Sequence, residues 1–209
     1  MASPAQTTRR RGRRQGEPVS RDAVLKAAKH RFAVEGYDKA TLRAIATDAH
    51  VDPSMLLYLF GSKAELFRES LRLIIDPDAL VEAMAEGDDD IGTRMVRTYL
   101  AIWEHPDTAA SMVAMLQSAT SNSDAHDAFR SFIQSYVLTA VSGVLGGDEQ
   151  ASVRALLAAT SLVGTAILRY VMRVAPLADL TVDEVVRLVA PTVTRYLTAD
   201  ADELGLPVT

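Results

Sequence analysis

The side chains of this chain that could do chemistry are its cations, and they are gathered at one end. Residues 1–72 carry fourteen Lys/Arg against eight Asp/Glu, a net +6, whereas residues 73–209 carry eight Arg and no Lys against nineteen Asp/Glu, a net −11. Positive charge concentrated in an otherwise acidic protein is an electrostatic footprint for phosphate, and the acidic remainder must sit away from any duplex. Other chemistries are poorly served. The absence of cysteine removes thiol catalysis, disulfide frameworks and cysteine zinc sites, and it agrees with a reducing cytoplasm. His30, His50, His105 and His126 are scattered without metal-ligand spacing. The GDDDIG loop at 87–92 lacks the alternating ligands of a calcium loop and reads as a solvated acidic turn. No metal and no cofactor is expected.

Those cations need a scaffold, and its most legible part is the stretch TLRAIATDAHVDPSMLLYLFGSKAELF at 41–67. Thr41 can cap a helix over 42–49, whose Leu42, Ile45, Ala46 and Ala49 make one narrow apolar stripe. His50-Val51 turns the chain, with His50 expected near a positive φ. Asp52-Pro53 is a second start signal, a capping carboxylate before a ring whose missing N–H is no loss in the first helical turn. That helix, Pro53–Phe60, ends at Gly61, and Ser62 with Glu65 reads as a capping box opening a longer helix over 62–84. Two short helices joined by a tight turn form a helix-turn-helix, the element that lays its second helix in the major groove of DNA. Upstream, Ser20 caps a helix to about Glu35 and Gly36 closes it. Residues 1–18 lack apolar periodicity and read as a flexible arm carrying Arg9, Arg10, Arg11, Arg13 and Arg14. The arm is either a non-specific phosphate tether or a reader of a narrow minor groove.

Every later segment reads as helix: 91–105, 106–120, 123–145, 149–174 and 181–198. The fold class is therefore all-α, with about nine helices, and 48% hydrophobic residues suffice for a core. No apolar run looks long enough to cross a bilayer, the charge-free helical candidate at 155–168 included, and nothing resembles a signal peptide, so a soluble cytoplasmic protein is expected. The helix at 149–174 is apolar on every face and must be covered on all sides. The one at 181–198 has a capping box in Thr181 and Glu184, a valine stripe, and Pro191, which should kink it. Two such helices from each of two chains can form a four-helix dimer interface, with Ala155, Ala159, Leu162, Ala166, Val182, Val186, Val189, Val193 and Leu197 as its residues. The alternative is that both are core helices of a monomer.

The run AVLKAAKHRFAVEGY with Phe32, Gly36 and Tyr37, then Thr41, Ile45-Ala46, Ala49, Val51, Leu56, Phe60, Ser62-Lys63 and Glu65-Leu66, resembles the TetR/AcrR family of bacterial transcriptional regulators. DPSMLLYLFGSK is similar to an actinobacterial branch with a DPxLxxxYFGSK pattern, as are LVGTAILRYVMRVAPL and VVRLVAPTVTRYL further on. The resemblance covers about residues 20–199. It implies an arm at 1–18, a three-helix DNA-binding domain at 19–66 and a ligand-binding and dimerisation domain at 67–209. By position it places Pro53, Ser54, Met55, Leu57 and Tyr58 at the groove and Thr41, Arg43 and Lys63 at phosphates. The family commonly has Gly, Tyr and His where this chain has His50, Leu57 and Leu59, so one tyrosine phosphate contact is lost. Readout would lean on thymine methyls and DNA shape.

The implied effector needs a mostly apolar pocket among the helices at 91–174. Candidate lining residues are Trp103, Met112, Met115, Leu116, Phe129, Phe132, Ile133, Tyr136, Leu168 and Met172, with Gln117, Tyr136 and Arg169 as polar anchors. The expected function is a ligand-responsive repressor, a homodimer on a near-palindromic operator in double-stranded DNA, released by a small apolar molecule. Its competitors are an all-α enzyme, or a binding protein for an apolar small molecule, without sequence-specific DNA recognition, and a non-specific DNA-packaging protein. The absence of a nucleophile–base pair and of a phosphate loop argues against the enzyme, and the large acidic portion against packaging.

Overall fold

The computed structural model describes residues 20–85 and 87–206, and these form helices, turns and loops with no strand. The helices are α1 (Arg21–Lys39), α2 (Leu42–Asp48), α3 (Pro53–Phe60), α4 (Lys63–Leu71), α5 (Pro77–Glu82) and α6 (Ile91–Glu104). They continue as α7 (Pro106–Ser121), α8 (Ser123–Phe132), α9 (Thr139–Val144), α10 (Glu149–Ala166), α11 (Val182–Thr198) and α12 (Ala201–Leu204). The arginines Arg9, Arg10, Arg11, Arg13 and Arg14 lie outside the described residues.

Local chemistry sets most of the starts. Thr41 accepts the Ala44 amide, Asp52 the Ser54 amide and Ser62 the Glu65 amide. Thr181 and Glu184 form the complete capping box. At Ser62 the reciprocal half does not form, because the Glu65 carboxylate pairs with Arg68 at 2.5 Å. Gly36 stops the first run at φ 74, after which one further turn carries Tyr37 to Lys39. His50 sits at φ 55, as expected for the turn.

The chain has more helices than the sequence suggests because two expected helices are interrupted and the short α12 follows the last expected one. The one at 62–84 ends at Leu71 and restarts at Pro77, where Asp76 accepts the Asp78 amide. Asp76-Pro77 repeats the Asp52-Pro53 signal, and the proline ring disfavours helical geometry at the residue before it. The one at 123–145 passes through a π-helical segment, Ile133–Leu138, that separates α8 from α9. A second π segment, Ile167–Val171, extends α10 before the chain unwinds at Arg173, φ 53. α11 runs unbroken through Pro191.

One buried cluster runs from Val24 on α1 to Leu197 on α11. At its N-terminal end Phe32 stacks on Tyr37 at 5.8 Å, and Phe67 meets both rings edge-on at 5.0 and 5.2 Å. This seats α1 on α4. α7 lies along α1, and α11 packs against α6 and α10. Contrary to the reading of charge-free runs, Glu149–Val171 is long and apolar enough to cross a bilayer by length and composition, with Arg154 and Arg169 its only cations. Its inner face, including Ala151, Ala155, Ala158, Leu162 and Ala166, is core, but less than a third of this apolar stretch is buried.

Candidate nucleic-acid interface and apolar cavity

α2 and α3 are held in place by arginines on α1. Arg31 spans both carboxylate oxygens of Asp48, one at 2.8 Å, and also pairs with Glu35 at 2.5 Å, and it holds the Asp48 carboxyl below its ordinary range. Arg21, which the sequence pattern did not single out, donates to the Leu59 carbonyl at 2.9 Å, lies over the Phe60 ring at 4.3 Å and pairs with Glu69 at 3.6 Å. The end of α3 is thereby fixed to α1 and α4.

With Leu56 and Phe60 buried, α3 presents Pro53, Ser54, Leu57 and Tyr58 to solvent. Leu57 is 51% and Tyr58 83% exposed, an apolar and aromatic surface that a globular core would normally take in. Met55 is half-buried. The Ser54 hydroxyl donates to Asp52 Oδ1 at 2.6 Å, so the serine is left with acceptor capacity toward any donor in the groove. This same contact and the Ser54 amide keep the Asp52 carboxyl below its ordinary range. Beside α3 stand the three residues expected at phosphates. Arg43 is exposed and makes no ion pair among the described residues. Thr41 uses its oxygen to cap α2 and keeps its proton to donate. Lys63 is more constrained: its ammonium lies 4.4 Å from the Tyr37 ring centroid and donates to the Asp38 carbonyl at 3.4 Å, and burial pushes its pKa down.

The second feature is a cavity of about 530 Å³ among α6 to α10, the size of a small-molecule site. It is built from ladders one helical turn apart: Met95 and Tyr99 on α6, Met112 and Leu116 on α7, then Phe129, Ile133, Val137 and Val141 along α8, the π segment and α9. α10 adds a further wall that includes Ala155, Leu162, Thr160 and Val163, and Ile167 begins the second π segment. Both π segments thus contribute to the wall, a placement common at functional sites.

Of the expected lining residues, Met112, Leu116, Phe129 and Ile133 belong to the wall. The others do not. Trp103 and Phe132 are buried elsewhere in the core, and Met115 borders a separate small void near Phe67. Leu168 and Met172 are exposed because the π segment rotates them outward, and Gln117 faces solvent. Tyr136 turns toward α4, donating to Glu69 at 3.4 Å with Arg72 over its ring. Arg169 is buried against the Leu177 carbonyl at 2.8 Å and Glu104 at 3.7 Å. The residues missed, Met95, Tyr99, Val137 and Val141, continue the ladders by four positions, which is the signal that could have found them.

The dimer candidates need the same correction. Ala155, Leu162, Ala166, Val186, Val193 and Leu197 are buried inside the chain itself, and Ala155 and Leu162 face the cavity. Ala159, Val182 and Val189 are half-buried. The apolar side chains left exposed are Leu156, Val163, Leu168 and Val171 on α10 and its extension, and Leu188, 66% exposed, on α11.

The chain matches two family models, described as bacterial regulatory proteins of the tetR family over residues 24–70 and as the tetracyclin repressor-like C-terminal domain over residues 89–197. It is similar to the crystal structure of a TetR-family regulator from Streptomyces coelicolor A3, at 35% identity and TM-score 0.66, covering 89% of this chain and 98% of that one. A TetR-family transcriptional regulator of a Rhodococcus species shares the fold at 16% identity and TM-score 0.62, over 85% and 97% of the two chains. NalD of Pseudomonas aeruginosa, the secondary repressor of the MexAB-OprM multidrug efflux pump, does so at 19% identity and TM-score 0.56, over 86% and 96%. Among proteins of curated function, none matches the chain.

Proposed function

Because the chain belongs to the TetR family of bacterial transcriptional regulators, we propose that this ligand-responsive DNA-binding protein is a repressor, binding a near-palindromic operator as a homodimer and released by a small, largely apolar molecule. The observation that carries the reading is the pairing, in one chain, of an exposed α3 surface with an apolar cavity of about 530 Å³. Residues 19–66 act as the DNA-binding domain and 67–209 as the ligand-binding and dimerisation domain, with 1–18 as a basic arm. Thr41, Arg43 and Lys63 hold phosphates, while Pro53, Ser54, Met55, Leu57 and Tyr58 meet the groove. With no Arg, Lys, Asn or Gln on α3, discrimination comes from thymine methyls and DNA shape. The DPSMLLYLFGSK string supports placing the chain in an actinobacterial branch of the family.

Dimerisation through α10 and α11 is supported by Leu156, Leu168, Val171 and Leu188, which leave an apolar surface uncovered on the single chain. A protein with two-fold symmetry presents two α3 helices, which calls for two related half-sites. The protein acts in the cytoplasm, where its DNA lies, and carries out no catalysis. Selection of bound sites from random duplexes, followed by gel-shift competition, tests the reading. A near-palindromic consensus that resists non-specific competitor is the expected result. Equal retention of all sequences would overturn it in favour of packaging, and no retention would favour a binding protein or enzyme.

A further inference from the structure

Among the side chains that wall the cavity none is charged, and only Tyr99 and Thr160 carry a polar group. Thr160 is already committed, its hydroxyl donating to the Leu157 carbonyl at 2.7 Å on its own helix. Tyr99 is different. Its phenol is deeply buried, which pushes its pKa up to about 12 and keeps it a neutral O–H. Behind it, edge-on at 6.5 Å between ring centroids and itself outside the wall, stands Trp103, whose buried indole N–H is turned to the phenol oxygen. An indole nitrogen can only donate. With its oxygen engaged by that N–H, the phenol keeps its own proton to donate, and the one uncommitted polar group of an otherwise hydrocarbon wall is short of an acceptor. Glu104 and Arg169 pair with each other at 3.7 Å and are both engaged by Tyr170, which stacks on Trp103 at 5.4 Å; neither enters the wall.

We propose that the cavity takes an uncharged, mainly hydrocarbon ligand bearing one hydrogen-bond acceptor, such as a ketone or ester carbonyl, which lies against the Tyr99 hydroxyl. The inference rests on the reading of the cavity as an effector site and adds the chemical class of the effector. A carboxylate would lose its hydration with no cation to meet it, whereas a carbonyl supplies the acceptor that the phenol lacks.

The test uses N-phenyl-1-naphthylamine, an uncharged fluorescent probe, displaced from the full-length protein by the nine-carbon set nonane, 2-nonanone and nonanoate. 2-Nonanone should compete about fivefold better than nonane, the worth of one net hydrogen bond. At about pH 8 it should compete about tenfold or more better than nonanoate, with nonanoate gaining as the pH is lowered and its neutral acid forms. Tyr99→Phe should remove the advantage of the ketone and leave nonane unchanged, which also reports that the variant cavity is intact. Nonanoate competing as well as the ketone at pH 8 would overturn the proposal. So would a ketone advantage that survives Tyr99→Phe, or failure of the probe to bind. The regulatory reading fails separately, if ligands bind in this order yet leave the operator complex unchanged in a gel shift.

Discussion

The Ser118 hydroxyl oxygen accepts the backbone N–H of Tyr37 at 3.1 Å, across 81 positions of sequence, while its own proton goes to the Ala114 carbonyl at 2.8 Å. Ser118 stands on α7 half a turn beyond Leu116 of the cavity wall, and Tyr37 lies at the Gly36 kink beneath Lys63. One turn on, Asn122 donates to Asp38 at 2.6 Å. A helix that lines the cavity is thus bonded to the chain that leads into α2.

Ser118→Ala removes the acceptor and leaves the Tyr37 amide buried without a partner. The expected loss of stability is about 1–3 kcal/mol, read from urea denaturation. An unchanged midpoint would show that this amide finds another acceptor and that the two helices do not depend on the bond.

His50→Gly should be neutral or stabilising by about 0.5–1 kcal/mol, because glycine adopts the φ of 55 without the steric cost that histidine bears. Thermal melting without DNA measures this. A clear fall in Tm would mean that the imidazole contributes contacts that outweigh the backbone strain.

Gly92→Ala should be strongly destabilising. A Cβ there would lie 2.2 Å from Thr194 Oγ1 and 2.4 Å from the Ala190 carbonyl, so α6 and α11 would have to separate. Overpacking of this kind costs about 1–3 kcal/mol or more, and the Gly92 amide would lose its bond to Thr194 at 3.1 Å. Near-normal stability in a denaturation curve would contradict the close approach.

Asp90, the cap of α6, also accepts from the Thr194 and Thr93 hydroxyls, and these bonds lower its pKa from 3.8 to about 2. A lowered carboxyl pKa adds stability that is present above the unfolded value and lost as pH falls through the folded one. The contribution should therefore fade between about pH 4 and pH 2, and Asp90→Asn should flatten the stability profile over that interval. An identical acid limb in the variant would assign the loss to other carboxylates.

Arg43→Ala and Lys63→Ala should both weaken binding to all DNA sequences, but Arg43→Ala should reduce the salt slope by about one phosphate and Lys63→Ala by less. Arg43 is free to reach a phosphate, whereas Lys63 is shared with Tyr37 and Asp38. Ser54 and Met55 substitutions should instead alter sequence preference. Salt titrations of operator and random duplex separate these effects, and a changed preference in Arg43→Ala would reverse the assignments.

What the sequence determined by itself is what depends on neighbours a few positions away. Thr41, Asp52-Pro53, Ser62 and the Thr181–Glu184 box each start a helix through an oxygen and an amide two or three residues apart, and His50 and Gly61 turn the chain through their own backbone angles. The helix-turn-helix and the all-α class follow from such local bonds. Asp76-Pro77 was equally local and legible, although a continuous apolar pattern over 62–84 masked it. Which way a helix faces is another matter. α10 is apolar all round, so nothing in its sequence distinguishes the face of Ala155 and Leu162, which closes on the core and cavity, from that of Leu168 and Val171, which stays outside. The π segments shift the facing of every residue after them, which took Leu168 and Met172 out of the wall. Only the packing of α6, α7, α8 and α10 around a shared space brought Tyr99 to that wall and set Trp103 behind it, because helix orientation is set by the sum of contacts between distant elements rather than by bonds within one.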